Sequence, residues 1–286
     1  MKRILTLLLT CAMILSLAAC GNKDDDKTKG QPDTEKHEQD QTEVQAPETN
    51  GYDLTNPEED RENAPGYLYY VQTVPTKETG LTSLLTSEYN DSYCDNIATE
   101  IQKIPLFSRC EVIQEPISTG VELVDENGNP VEDTAANDVI VYVQDEAYVN
   151  EISVAVYQGA GYSYLTYGKM EYVEDPETWS DELDISDIPE LTETITGMTI
   201  TEDDIAEMIK QLVDLRKELP DEAIYMASIT DPETYSTIQV AILPYEGPDL
   251  IGFTASRYIE RADAMPLLIE QEPQTDETPA TEAGVD

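Results

Sequence analysis

An α+β fold is what the sequence predicts: a mainly antiparallel sheet with a few helices packed on it. Three observations lead there. Runs of β-branched and aromatic residues fill the region 65–272 and follow one another through hairpin-sized turns. Two segments carry a helical period. Strand and helix signals do not alternate regularly, which counts against a doubly wound parallel sheet.

The strands come in this order. Tyr67 to Val74 is rich in tyrosine and valine. Ser108 to Gln114 and Thr119 to Val124 follow, the second turning through Asn127-Gly128 toward Val131. Val139 to Val143 is a continuous apolar run, so a central place in the sheet is expected. Ile152 to Tyr157 alternates, with Ile152, Val154 and Val156 on one face. Gly159-Ala160-Gly161 turns the chain into Tyr162 to Tyr167 and Met170 to Val173. The late strands are Ala223 to Ile229, Tyr235 to Leu243 and Ile251 to Ile259.

Two helices are expected. Asn96 to Ile104 places Ile97, Ile101 and Ile104 on one side. Glu202 to Glu218 is stronger. Thr201 with Asp204 is close to a capping box, and acids in the first turn complement the helix dipole. Ile205, Ile209, Leu212 and Leu215 make the apolar stripe, with Met208 and Leu219 beside it, and Pro220 ends the helix. Each half then reads as a strand, a helix and an antiparallel run, if Thr194 to Ile200 is the second half's first strand. This leaves room for two subdomains of similar plan, 65–173 and 191–272. The acid-rich stretch 174–190, which has no basic residue, connects them.

The charge excludes classes of function. The chain has 286 residues, with 60 acidic and 16 basic, for a net −44. A nucleic-acid partner needs a basic face, so none is expected. Most of the negative charge falls within 65–272. Residues 21–64 are acidic and nearly free of large apolar side chains, so they read as a disordered tether. Residues 273–286 read as a short disordered acidic tail.

The first twenty residues form an address. Lys2 and Arg3 precede an apolar stretch from Ile4 to Leu17, which ends in Leu17-Ala18-Ala19-Cys20. This resembles the signal peptide and lipobox of bacterial lipoproteins. The resemblance implies cleavage after Ala19, so that 1–19 are removed and 20–64 become the lipidated tether. It also implies acylation of the Cys20 thiol and anchoring in the bilayer at the extracytoplasmic face of the cell membrane, with palmitate-type chains. Two acyl chains hold a protein stably where one does not.

Chemistry in the folded part is constrained by what is missing. The one histidine, His37, lies in the tether. Histidine-based nucleophile activation and histidine zinc sites therefore have no residues to use. No glycine-rich phosphate loop is present, and neither a metal nor another cofactor is expected. Asp125 to Pro130 crowds hard oxygens, but its glycine stands at the wrong position for an EF-hand loop and fits a hairpin turn. Cys94 and Cys110 remain as a candidate disulfide, worth on the order of 3 kcal/mol in the chain-entropy model. Tyr162 and Tyr164 share a strand face, with Tyr157 and Tyr172 nearby and Tyr167 on the opposite side. They offer either strand filling or a stacking surface for sugar rings or a protein.

The functional expectation is a non-enzymatic binding or accessory module of the cell envelope, acting on an envelope protein or ligand. Two alternatives come from other classes: a carboxylate-dependent envelope hydrolase, and the solute-binding component of a transporter.

Overall fold

A computed structural model of the chain describes residues 51–57, 64–117, 138–245 and 247–264. All of them fall in the unit Thr49–Asp286. The strands are β1 (Tyr67–Val71), β2 (Ile113–Pro116), β3 (Val139–Gln144), β4 (Asn150–Tyr157), β5 (Tyr162–Val173), β6 (Tyr225–Thr230), β7 (Thr237–Leu243) and β8 (Asp249–Glu260). The helices are α1 (Gly80–Leu85), α2 (Tyr93–Ile101), α3 (Ile188–Thr196) and α4 (Glu202–Glu218), with 3₁₀ turns at Pro105–Phe107 and Pro176–Asp181.

One eight-stranded sheet results, in the order β1-β6-β7-β8-β5-β4-β3-β2. Two meanders, β2 to β5 and β6 to β8, join where β5 pairs with β8 along twelve residues, Tyr162↔Glu260 to Val173↔Asp249. That join merges the two expected subdomains: their strands share one sheet and their side chains one hydrophobic cluster. Six of the seven pairings are antiparallel and β1–β6 is parallel, so the sheet is mixed. The parallel pair arises because β1 leaves the first half and closes the edge of the second.

Period-two alternation gives the sheet two different faces. The inner face is aliphatic. Ile152, Val154, Val156, Leu165, Ile238, Val240 and Ile242 are buried within the cluster. The helices cover this face: α4 lies on β6 and β7, α3 on β5 and β8, and α2 on β3. Helix α4 matches its expected bounds, and the Thr201–Asp204 capping box forms in both directions. Arg216 on α4 pairs with the buried Asp249 of β8 and so fastens the helix to the sheet.

Several expectations shift. The segment expected as strand 194–200 is instead the end of α3 and the chain after it. Its isoleucines and threonines suggested extended backbone, but Pro189 at the first turn and Gly197 after the last define a helix. Gly197 has φ +76°, and a Cβ there would meet Lys77 O at 2.0 Å, so a side chain is excluded twice. The stretch 174–190 is not a bare connection, because Leu183 and Ile188 enter the core and Trp179 packs against it. Helix α2 starts earlier than expected and stops at Ile101, and Ile104 and Phe107 enter the core from the following turn. The strand expected from Ser108 begins only at Ile113. Strand β3 stands next to the edge strand β2, not centrally.

The fold also begins upstream of residue 65. Leu54 is buried, Tyr52 N donates to Asp204 Oδ1 at 2.8 Å, and the Tyr52 hydroxyl donates to Thr199 O. Gln211 Nε2 donates to Leu54 O, and Gln72 bonds both backbone polar groups of Asp53. Gly51 has φ +79°, where a Cβ would approach Asp204 Oδ1 to 2.7 Å. The expected strand 119–124 and the Asn127-Gly128 turn lie outside the described residues, as does most of the tether.

Candidate functional site

The second face of the sheet is chemically unlike the first. At one end stands a bank of tyrosines from three strands and a turn. Tyr157 and Tyr162 face each other across the β4–β5 hairpin with ring centroids 4.8 Å apart. Tyr164 and Tyr258 are register partners of β5 and β8, with rings 5.6 Å apart and edge-on. Tyr162 reaches Tyr258 at 5.2 Å and Tyr164 at 5.6 Å. Tyr235, from the β6–β7 turn, adds its ring edge-on to Tyr258 at 5.9 Å. Such tilted and edge contacts suit the aromatic quadrupole and hold the rings in place.

Tyr235 is held in a costly backbone conformation. Its φ is +54°, a region unfavourable for a bulky side chain, and the residue is 59% exposed. Asp231 enforces this. Its backbone accepts from Tyr235 N and donates to Ser236 O, while its carboxylate accepts from Val74 N, Glu233 N and Thr234 N. Burial works against the Asp231 carboxylate, but these donors outweigh it and hold its pKa below the ordinary value. The turn spends backbone strain to present a tyrosine to solvent beside four others, a pattern common at functional sites.

Next to the bank runs a row of hydroxyls. In register across β6, β7, β8, β5, β4 and β3 stand Thr230, Thr237, Ser256, Thr166, Ser153 and Tyr142. Thr166 and Ser256 share a hydrogen bond at 2.9 Å. Thr237 is 2% exposed, and its Oγ1 has no partner among the described residues. The next row carries Ser228, Gln239, Thr254, Gly168 and Glu151.

Tyr162, Tyr164 and Tyr258 are held neutral at physiological pH. Burial, with the neighbouring Tyr157, Tyr164 and Tyr258 and the charge of Asp138, pushes Tyr162 up to about 12. Burial also raises Tyr164 and Tyr258, the latter helped by the Glu260 charge. Glu151 is likewise raised by burial, opposed by a hydrogen bond from Gln144 Nε2. The face offers stacking rings and hydroxyls that both donate and accept, with little charge.

Other clusters read as structural. Lys169 is buried, and its Nζ donates to Asp184 O at 2.6 Å and Asp187 Oδ1 at 2.7 Å. It ties β5 to the start of α3. Arg261 bonds Asp263, Tyr157 O and Gln158 O and lies over the Tyr89 and Tyr93 rings. A cavity of about 310 Å³ lies between Tyr52, Gln72, Pro75, Thr199 and Asp204. Its one carboxylate already accepts from Tyr52 N, Thr201 N and Thr201 Oγ1. Among the described residues, no group of three or more His, Cys, Asp or Glu side chains is placed to hold a metal ion.

The residues singled out from sequence divide as follows. Tyr157, Tyr162 and Tyr164 come together. Tyr167 points into the core and donates to Asn150 Oδ1 at 2.9 Å. Tyr172 lies on the second face at its far end, near Tyr245 at 6.3 Å. Cys94 and Cys110 are free thiols in this structure, without the expected bridge; Cys110 Sγ lies 3.6 Å from Leu106 O. Cys20 and Asp125 to Pro130 lie outside the described residues. Sequence reasoning missed Tyr235, Tyr258 and the hydroxyl row. The signal for Tyr235 was the Asp231-Pro232 turn beside it; the row as a whole had none, because its two halves meet only where β5 pairs with β8, 90 positions apart at Thr166 and Ser256.

No family model matches the chain, and neither a curated protein nor a solved structure matches it. Among the described residues no helix is long and apolar enough to cross a membrane.

Proposed function

We propose that this chain is a bacterial lipoprotein anchored through Cys20 to the extracytoplasmic face of the cell membrane. Its role is that of a non-enzymatic binding module of the envelope, and its binding surface is the tyrosine and hydroxyl face of the sheet. The anchor rests on the charged start, the apolar stretch and Leu17-Ala18-Ala19-Cys20. The observation that carries the binding role is the tyrosine bank. It includes Tyr235, an exposed ring held in a costly conformation that the core does not need.

Binding suits this face better than hydrolysis. The carboxyl raised by burial on it is Glu151, whose register partners on either side are Gln144 and Gly168. A glycosidase pair needs a second carboxyl about 5–9.5 Å away across the substrate, and neither partner supplies one.

Two measurements test the proposal. Labelled palmitate should enter the wild-type chain expressed in a lipoprotein-competent bacterium and fail to enter Cys20→Ser, which should appear in the soluble fraction. Equal labelling of the two would overturn the anchor. Full-length chain carrying Tyr164→Ala and Tyr258→Ala should retain less envelope material than wild type while melting cooperatively. Unchanged retention would overturn the assignment of the face.

A further inference from the structure

The ligand class follows from the chemistry of that face. Resting on the binding role proposed above, we infer that the tyrosine bank and the hydroxyl row take a neutral polysaccharide chain, lying across the strands.

Three observations carry this. The first is composition. Tyrosine rings offer flat apolar surface to the C–H faces of a pyranose, and serine and threonine hydroxyls exchange hydrogen bonds with sugar hydroxyls as donors and acceptors. The second is extent. The row from Thr230 to Tyr142 crosses six adjacent strands at a spacing of about 4.8 Å; Thr237 and Ser153 are buried within it, while Thr230, Ser256, Thr166 and Tyr142 stay partly exposed along the line of an extended glycan. The Tyr164↔Tyr258 pair stands two residues from the Thr166↔Ser256 pair, on the same side of the same strands. Rings and hydroxyls therefore stand side by side on β5 and β8.

The third is charge. A chain with net −44 repels phosphorylated, sulfated or uronic polymers. A protein partner complementary to this molecule would be basic and would be drawn to its acid-rich surfaces, whereas this row carries no ionised side chain between Thr230 and Tyr142.

Native gel electrophoresis of the full-length chain in detergent tests this, with the gel containing hydroxyethyl cellulose, arabinoxylan, galactomannan, soluble starch or polygalacturonate. Retardation by at least one neutral polysaccharide and none by polygalacturonate is expected. The apparent affinity should fall at least tenfold in Tyr164→Ala and in Tyr258→Ala. Thr166→Val keeps the β-branched shape and removes a partly exposed hydroxyl of the row: it should melt cooperatively near wild type yet bind the polysaccharide several-fold more weakly. No retardation by any neutral polysaccharide overturns the inference, as does retardation unchanged by the tyrosine variants or stronger retardation by the uronic polymer. If polysaccharides fail while retention of envelope material still depends on Tyr164 and Tyr258, the ligand class is wrong and the binding face stands. If both fail, the face itself is wrong.

Discussion

The two faces of one sheet are built from the same eight strands and obey different rules. On the inner side, Leu165, Ile238 and Val240 are buried against helices and belong to one continuous cluster. On the other side, their immediate sequence neighbours Thr166, Thr237 and Gln239 carry hydroxyls or an amide. Ala155, Met226, Ala241 and Leu250 on that side are buried yet stand outside the main cluster. The difference teaches where stability and recognition reside. Aliphatic burial contributes about 1.5–3 kcal/mol per large side chain and needs no orientation. Hydroxyls and tilted tyrosines contribute less to folding and present directional groups instead.

The largest effect should come from breaking this contrast at adjacent positions. Leu165→Ala and Ile238→Ala each remove a fully buried branched side chain, with an expected loss of about 2–5 kcal/mol. Thr166→Ala removes one half-buried hydroxyl and its bond to Ser256, with an expected loss of at most about 1.5 kcal/mol. Urea denaturation followed by far-ultraviolet dichroism measures both. Similar losses at 165 and 166 would mean that the second face is also core.

A second effect comes from the turn that presents Tyr235. Asp231→Ala leaves the N–H groups of Val74, Glu233 and Thr234 without their acceptor, at a cost of about 1–3 kcal/mol. The pH dependence has a defined sign. The folded pKa of Asp231 lies below its ordinary value of 3.8, so its contribution is present above that value and is lost as pH falls through the folded one. The gap between wild type and Asp231→Ala should therefore be full at neutral pH and shrink below about pH 4. A gap independent of pH would show that the carboxylate charge is not what the turn uses.

The strain at Tyr235 predicts a smaller and more specific difference. Tyr235→Gly and Tyr235→Ala both delete the ring and its contact with Tyr258. Only glycine is at ease at φ +54°. The glycine variant should be more stable than the alanine variant by about 1 kcal/mol, the reverse of their order at most positions. Thermal melts of the pair measure this, and alanine being the more stable would remove the argument that the turn is held under strain for presentation.

How much of this was legible in the sequence depended on how local the signal was. Helix α4 was readable to the residue, because Thr201, Asp204, the apolar stripe and Pro220 all lie within twenty positions. The strands of both meanders were readable because alternation and turn residues are local. Helix α3 was not, since isoleucine and threonine favour strands intrinsically and only Pro189 and the left-handed Gly197 decide otherwise. The docking of residues 51–57 was hidden because it depends on a few hydrogen bonds to Asp204, Gln211 and Gln72, more than a hundred positions away in the first two cases. Half of the tyrosine bank was visible in Tyr157, Tyr162 and Tyr164. The other half and the hydroxyl row needed the β5–β8 pairing, which brings Thr166 to Ser256 across 90 positions. No periodicity encodes a register of that kind.

The smallest effect, and the one that sharpens the contrast most, concerns Glu151. It sits in the second row of the hydroxyl face, opposite Gly168 and beside Gln144. Burial raises its pKa above the ordinary 4.5, and the Gln144 hydrogen bond recovers only part of that cost. The sign is opposite to that of Asp231. A carboxyl whose folded pKa is raised favours the fold in its protonated form, so the penalty is absent below about pH 4.5 and grows as pH rises through the folded value. Glu151→Gln keeps the shape and an acceptor for Gln144 but never ionises. The variant should be more stable than wild type at pH 7, by less than about 1 kcal/mol, and indistinguishable from it near pH 4. Melting temperatures of both chains from pH 4 to 8 would show the two curves separating upward. A glutamine that leaves the curve unchanged would place Glu151 among the ordinary solvated acids, and the second face would then carry no carboxyl held at a cost.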